Sequence, residues 1–495
     1  MKKYVLSIDA GTTSSRAILF DQKGKEIGKS QYEFTQIFPN EGWVEHDPME
    51  IWQTQRRAIE DLIEKTGIKA SEIDSIGITN QRETTVIWNK HTGEPVYNAI
   101  VWQDRRTALL CEELYAKGVD KIIQDKTGLI LDAYFSGTKI KWILDHQKGN
   151  REKAEQGDLL FGTIDTWLIW KLSNGKLHVT DPSNASRTML YNIHESQWDN
   201  ELLELLKVSK KLLPTVVESS GKIGAIRLKN WDDEVLISGI AGDQQAALFG
   251  QLCFEPGEVK NTYGTGCFCV MNTGENPVQS KNKMLTTIAW RINGKTTFAL
   301  EGSVFIGGAL VQWLRDGINM IQSAQEIEIL AETVQNNGGV TFISALTGIG
   351  APYWDAKATG AIMGITRGTE KGHIARAALE AIAMRSREII LAMQKDAGIE
   401  FKGLKVDGGA CENKLLMQIQ ANLLNTKVIR PMTTETTALG VAFLAGLASG
   451  FWRNTEELKS LWERDKTFLP TKNKHASSII SLWEERIQKI ITNES

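Results

Sequence analysis

Ile8-Asp9-Ala10-Gly11-Thr12-Thr13-Ser14-Ser15-Arg16 and Asn261-Thr262-Tyr263-Gly264-Thr265-Gly266-Cys267 are two copies of one local pattern, far apart in the chain. Each is a short apolar or β-branched run, a glycine–threonine turn and a second such run, which reads as two strands joined by a tight hairpin. Glycine lets the backbone N–H groups of such a turn approach an anion, and the hydroxyls add donors. Two such turns facing each other across a cleft suit the phosphates of one nucleotide.

Outward from the first hairpin, 4–9, 16–21 and 26–34 read as three consecutive strands. Asp47-Pro48-Met49-Glu50 then opens a helix, with Asp47 as N-cap, Pro48 at N1 and Glu50 reaching back as a capping box; the helix stops near Gly67. Strands follow at 73–79 and 84–88, and helices at 103–117, 136–147 and 160–171. This β-β-β-α-β opening is not the alternation of a Rossmann domain. The second half repeats the grammar. Strands at 258–262 and 267–272 flank the second hairpin, and Asn293-Gly294 is a type I′ turn between 285–292 and 296–301. Helices are expected at 303–315 and 371–396. A strand near 340–344 and the run 404–410, a strand entering a glycine turn before a helix from about Asn413, complete the pattern. The chain therefore reads as a duplicated α/β protein, with a first domain over 1–252 and a second over 253–495.

At 495 residues, two or three domains are expected. A net charge of −3 gives no general attraction to nucleic acid or anionic membrane. The most apolar helix candidate, 437–451, is shorter than the ~20 residues of a membrane span and reads as a buried packing helix. The N-terminus enters a strand with no export segment, and the five cysteines are too scattered for a disulfide framework, so a cytoplasmic setting is expected. Cys267 and Cys269 read as small core residues, with no second pair to make a metal site.

Several polar groups carry possible chemistry. Asp9 ends the first strand just before the phosphate turn, where a carboxylate either bonds its own loop or holds Mg²⁺ through water. Asp243 follows the apolar strand 235–238 and opens a helix, so it is either a helix cap or a general base acting on a hydroxyl. Arg82 and Glu83, in Asn80-Gln81-Arg82-Glu83-Thr84, are either a solvated loop pair or the donor and acceptor that neighbouring hydroxyls of a polyol require. Trp102 and Tyr134 offer aromatic faces for a hydrocarbon backbone, or else pack in the core, as many of the 15 tryptophans must. None of the seven histidines sits in a recognisable nucleophile motif, so covalent catalysis is not indicated.

Taken together, these segments resemble the FGGY carbohydrate kinases, within the actin/Hsp70/hexokinase-type ATPases, and among them the branch that acts on glycerol. The likeness spans about 4–452. Beside the two hairpins it rests on Gly42-Trp43-Val44-Glu45-His46-Asp47-Pro48, Ile78-Thr79-Asn80-Gln81-Arg82-Glu83-Thr84, Trp102-Gln103-Asp104-Arg105-Arg106, Gly242-Asp243-Gln244-Gln245 and Asp407-Gly408-Gly409-Ala410.

The resemblance implies two ribonuclease H-like domains with a cleft between them, and ATP-dependent phosphorylation of glycerol to sn-glycerol 3-phosphate by direct in-line transfer. It implies that Thr12, Thr13 and Ser14 contact the ATP phosphates with Arg16 nearby, and that Thr265, Gly308, Gln312, Gly409 and Asn413 line the nucleotide. Arg82, Glu83, Tyr134, Asp243 and Gln244 would hydrogen-bond glycerol, with Trp102 and Phe268 packed on its carbons. Asp243 would be the base, and Mg²⁺ would sit near Asp9 and Asp243. A homo-oligomer, dimer or tetramer, is expected. Two departures stand out: Ala10 replaces the usual Gln, and Cys411-Glu412-Asn413-Lys414 keeps only the first of a usual Asn pair. The segment 222–233 is not glycine-rich and 221–238 has no histidine, so neither fructose 1,6-bisphosphate inhibition nor phosphohistidine activation is expected. An actin- or Hsp70-like nucleotide switch is the rival reading, against which the chain shows no separate peptide-binding domain.

Overall fold

A computed structural model describes residues 2–355, 357–471 and 474–491. Three antiparallel strands, Tyr4–Ala10, Ser14–Asp21 and Glu26–Glu33, open the chain where the sequence places them. Helix Pro48–Thr66 follows, with Asp47 accepting from the Met49 N–H and Gly67 closing it at φ 67°. Glu50 makes no capping box. Its carboxylate accepts instead from the backbone and hydroxyl of Thr35, at 3.1 and 3.0 Å, and so ties the incoming loop to the helix.

Strands Ile73–Asn80 and Val235–Gly242 then add in parallel beside the first strand, which puts the five strands in the order third, second, first, fourth, fifth. The second half repeats this order. Val259–Tyr263 is flanked on one side by Cys267–Gly274 and Lys295–Val304 and on the other by Leu404–Asp407 and Val428–Pro431. This is the duplicated ribonuclease H-like arrangement. The halves join in one 13-stranded sheet, where strand Ser220–Ile226 meets strand Leu285–Ile292 through the single pairing Ser220–Ile292. Asn293 and Gly294 both adopt positive φ, the type I′ turn expected there.

Some boundaries differ from those read in the sequence. Residues 159–162 form a strand paired with Val86–Asn89 outside the main sheet, and the helix begins only at Ile164. The expected helix at 103–117 is confined to Ala108–Ala116. The strand before the expected helix 303–315 runs on to Val304, leaving a short helix Gly308–Gln312 that widens into a π-turn over Trp313–Gly317. Helix Lys371–Ala397 backs the second half of the sheet.

Helix Thr436–Ser449 is buried along most of its length, as its Ala- and Gly-rich composition predicts. It packs with helix Asp243–Gly250 in a core shared by Phe20 and Ala241 of the first half and Val270 and Ala299 of the second. Among the described residues no helix is long and apolar enough to cross a membrane. The five cysteines are unpaired and buried.

Candidate active site

The parallel pairing puts the reactive segments side by side. Ala10, Asn80 and Gly242 share one register at the C-terminal ends of three adjacent strands. Gly11-Thr12-Thr13, Gln81-Arg82-Glu83 and Asp243 therefore leave the sheet from one edge, where open α/β sheets hold ligands. In the second half Thr262 pairs with Asp407, which sets the Gly264–Gly266 hairpin beside the Gly408-Gly409 turn.

The first hairpin is closed by the Gly11 N–H donating to the Ser14 carbonyl at 2.9 Å. Thr13 is exposed at its tip and Thr12 half-buried, whereas Ser14 is already buried as the first residue of the next strand. Arg16 ion-pairs with Asp9 and with Glu435, the latter at 2.8 Å. Burial pushes the Asp9 carboxyl up and Arg16 pulls it back, while the Glu435 and Asp243 charges push it up further. Asp9 thus lies within electrostatic reach of Asp243.

Arg82 and Glu83 are buried, not a solvated loop pair. Arg82 Nε faces Asp243 Oδ1 at 3.1 Å, and its two terminal nitrogens bind both oxygens of Glu301 at 2.5 and 2.9 Å. Gln245 Oε1 accepts from Arg82 Nη1 at 3.2 Å. Glu83, held at φ 61°, accepts from Arg187 Nε at 2.6 Å, and Arg187 Nη2 donates to Glu301 at 3.0 Å. Burial pushes the Glu83 carboxyl up, opposed by Arg187 and Arg82. Burial would also raise Glu301, but the same two guanidinium groups hold it at about 2. Asp243 is the first residue of its helix after the cap Gly242, and its side chain is 30% exposed while Arg82, Glu83 and Glu301 are buried. Of these carboxylates, Asp243 is the one that reaches open space.

Aromatic side chains from both halves converge beside this cluster. Trp102 meets Tyr134 edge to face at 5.7 Å and Phe268, from the second half, at 6.3 Å. The Trp102 indole N–H donates to the Thr12 hydroxyl at 3.0 Å, which links the first hairpin to the aromatic wall. Phe268 lies two residues past the second hairpin, so both hairpins border one space. The Gln244 side-chain oxygen accepts from the buried Lys260 ammonium, and no donation by its amide nitrogen to the protein is seen among the described residues.

At the second hairpin, the Gly308 N–H donates to the Gly264 carbonyl at 2.8 Å, seating the start of helix Gly308–Gln312 on the turn. A Cβ at Gly408 would come within 2.6 Å of the Tyr263 carbonyl oxygen, and its φ is 83°, so only glycine fits. Gly409 borders open space and Gln312 is exposed. Asn413 accepts from the Leu416 N–H at 2.8 Å and so serves as the cap of helix Lys414–Leu424.

The FGGY carbohydrate-kinase N-terminal domain profile matches residues 4–250, and the C-terminal domain profile matches 259–449. The chain belongs to the FGGY family of carbohydrate kinases. This FGGY kinase is 58% identical to glycerol kinase 2 of Thermotoga maritima, over 98% of each chain. It is 57% identical to the glycerol kinase of Alkaliphilus metalliredigens, over 99% of each. The crystal structure of Plasmodium falciparum glycerol kinase with ADP superposes with a TM-score of 0.93 at 36% identity, covering 99% of this chain and 98% of that one.

An FGGY kinase implies a divalent metal, and the donors here can be tested against one. Asp9 and Asp243 supply hard oxygen atoms, but each already faces a guanidinium, and among the described residues no three Asp, Glu, His or Cys groups are placed to hold a metal ion directly. Such a set fits a hydrated Mg²⁺ held through water, because Mg²⁺ gives up its water reluctantly. Arg187, Glu301, Gln245 and Lys260 of this FGGY kinase were not singled out from the sequence. Glu301 and Lys260 lie in ordinary strands, Arg187 in a loop and Gln245 in the helix that Asp243 opens, and only the fold brings Arg187, Glu301 and Lys260 to Arg82, Glu83 and Gln244.

Proposed function

We propose that this chain transfers the γ-phosphoryl group of ATP to glycerol, giving ADP and sn-glycerol 3-phosphate. The observation that carries the reading is the half-exposed Asp243 carboxylate beside Arg82 Nε, with Glu83 next to it and the Trp102, Tyr134 and Phe268 rings alongside. Full-length identity to glycerol kinases supports the choice of polyol.

In this reading Arg82 donates to, and Glu83 accepts from, neighbouring hydroxyls, while the rings cover the carbon chain. Tyr134 contributes a phenol that burial keeps protonated, and Gln244 its amide nitrogen. Asp243 takes the proton of the terminal hydroxyl as that oxygen forms its bond to the γ-phosphorus. The bond from phosphorus to the β–γ bridging oxygen breaks, and its electrons leave with ADP. Thr12, Thr13 and Ser14 donate to the phosphates from the first hairpin, with the Arg16 charge behind them. Thr265, Gly308, Gln312, Gly409 and Asn413 line the nucleotide on the second. Mg²⁺, when bound through water near Asp9 and Asp243, would neutralise phosphate charge. In this reading a first domain, 1–252, carries the glycerol-binding groups and the first phosphate hairpin, and a second, 253–495, binds the nucleotide.

Unpaired cysteines support a cytoplasmic setting, and a homo-oligomer, dimer or tetramer, is part of the same reading, its mass to be measured by light scattering. The deciding experiment is ADP release across a panel of polyols and sugars, with Asp243→Asn alongside. Glycerol is expected to give the highest kcat/KM, and the variant to bind nucleotide normally while kcat falls by about 10²–10⁴-fold. Preference for a pentulose, or an undiminished kcat in Asp243→Asn, would overturn the reading.

A further inference from the structure

The two groups expected to grip the polyol do not stand on their own elements. Arg82 and Glu83 are consecutive residues, yet each is held by a partner remote in sequence. Glu301, fully buried on strand Lys295–Val304 of the second half, takes both terminal nitrogens of Arg82. The same carboxylate accepts from Arg187 Nη2, and Arg187 Nε in turn holds Glu83 Oε1. Arg187 is fully buried, its guanidinium over the Phe135 and Tyr134 rings at 5.2 and 5.6 Å, and its Nη1 has no hydrogen-bond partner among the described residues.

A guanidinium fork bound end-on to a carboxylate has its plane and direction fixed. With both terminal nitrogens on Glu301, Arg82 can aim only its Nε edge at Asp243. Two guanidinium groups face three carboxylates, Glu83, Asp243 and Glu301, and two of those are sealed from water. Burying such a set is costly, and a well-packed apolar replacement is often neutral or stabilising, so stability alone does not account for it. The task visible here is alignment.

We propose that Glu301, acting together with Arg187, is a positioning residue for the polyol. It sets the direction of Arg82 directly and of Glu83 through Arg187, and so makes the hydroxyl-binding geometry depend on a strand of the opposite half. This inference rests on the assignment of Arg82 and Glu83 to the polyol. It adds that the polyol pocket is complete only while the second half holds Glu301 against the two arginines. A nucleotide-binding half thereby reports its position to the polyol-binding half through one carboxylate.

Steady-state kinetics of the full chain test this. Glu301→Gln keeps the size of the side chain but places an amide N–H against a guanidinium. KM for glycerol is expected to rise tenfold or more while KM for ATP stays within twofold. Glu301→Asp, which restores the charge, is expected to recover most of that loss. Should Glu301→Gln not fold, Arg187→Lys keeps a positive charge but can reach only one of its two carboxylates, and the same rise in KM for glycerol alone is expected. A KM for glycerol within twofold of the parent, or glycerol and ATP constants that rise together, would overturn the proposal, since a role in fold stability alone predicts no selective effect on the polyol. The parent enzyme in the same assay separates the two claims: if it does not turn over glycerol the functional reading fails, whereas normal parent turnover with an unselective variant removes only Glu301.

Discussion

At the scale of single residues, the contact between Trp102 and Thr12 joins what would otherwise be two subsites. The indole N–H gives its one hydrogen to the Thr12 hydroxyl, which keeps its own hydrogen for another acceptor. Trp102→Phe keeps the aromatic wall and deletes this donor. The expected outcome is a kcat several-fold lower with KM for glycerol within twofold; a raised KM with kcat intact would assign Trp102 to packing alone. His46 illustrates a different residue-scale device. It is buried, with Nε2 on Gln36 Oε1 at 2.8 Å and Nδ1 near Gln81 Nε2 at 3.3 Å, and burial lowers it from 6.5 to about 4. Unfolded histidine takes up a proton near pH 6.5 and the folded one only near 4. Its contribution to stability is therefore whole above pH 6.5 and is lost as pH falls to 4, at about 1.4 kcal/mol per unit. Urea unfolding of His46→Gln should show a stability slope over that window smaller by about one proton; an unaltered slope would place the proton uptake on another group. Of the site, Asp243, Arg82, Glu83 and the hairpins were legible because local patterns mark them: a strand end before a helix, a polar run between strands, a glycine turn. Glu301 and Arg187 were not, since a buried charge inside an ordinary strand or loop declares its purpose only through its partners.

Among elements, helix Thr436–Ser449 does most to fix where Asp243 stands. It crosses helix Asp243–Gly250 so closely that a Cβ on Gly440 would lie 1.8 Å from the Ala246 carbonyl oxygen, and one on Gly250 would lie 2.0 Å from that of Thr436. Both obstacles are backbone and cannot rotate away. An exposed helical glycine gains about 1 kcal/mol on replacement by alanine. Here the sign should reverse: Gly440→Ala is expected to cost about 1–3 kcal/mol, as core overpacking does. It should also lower kcat by shifting the helix that begins with Asp243. A urea midpoint equal to or above the parent's would show that the helices can part freely. The burial of this helix was readable from its composition, because a run of Ala and Gly has little else to offer than close approach. The boundaries that misled were those set by tertiary pairing. Residues 159–162 became a strand because Val86–Asn89 lies beside them, and Glu50 left the capping box because Thr35 presents both an N–H and a hydroxyl.

Across the whole molecule, the two halves share a packed core around helix Thr436–Ser449, and at the site they also exchange a small set of side chains. The sheet is continuous through one residue pair, Ser220–Ile292, while Phe268, Lys260 and Glu301 reach from the second half to Trp102, Gln244 and Arg82 of the first. Each of these three side-chain contacts ends on a residue assigned here to the polyol. Glycerol and nucleotide should therefore stabilise one relation of the halves, and each should find the other's site better formed. The duplicated topology was readable from the repeated strand–hairpin grammar, but this coupling was not, because it depends on which side chains the two copies exchange. Binding energies that merely add would mean independent sites. Coupling through a shared arrangement is typically worth about 1–3 kcal/mol. Unfolding free energies measured with no ligand, with glycerol, with a non-hydrolysable ATP analogue and with both close a thermodynamic cycle. The combined stabilisation should exceed the sum of the separate ones by at least 1 kcal/mol, on the order expected for such coupling. The excess should shrink in Glu301→Gln, whose amide N–H faces a guanidinium in place of a carboxylate oxygen. Additivity within about 0.5 kcal/mol in the parent chain would show that the halves bind their ligands separately and that the contacts across the cleft only support the fold.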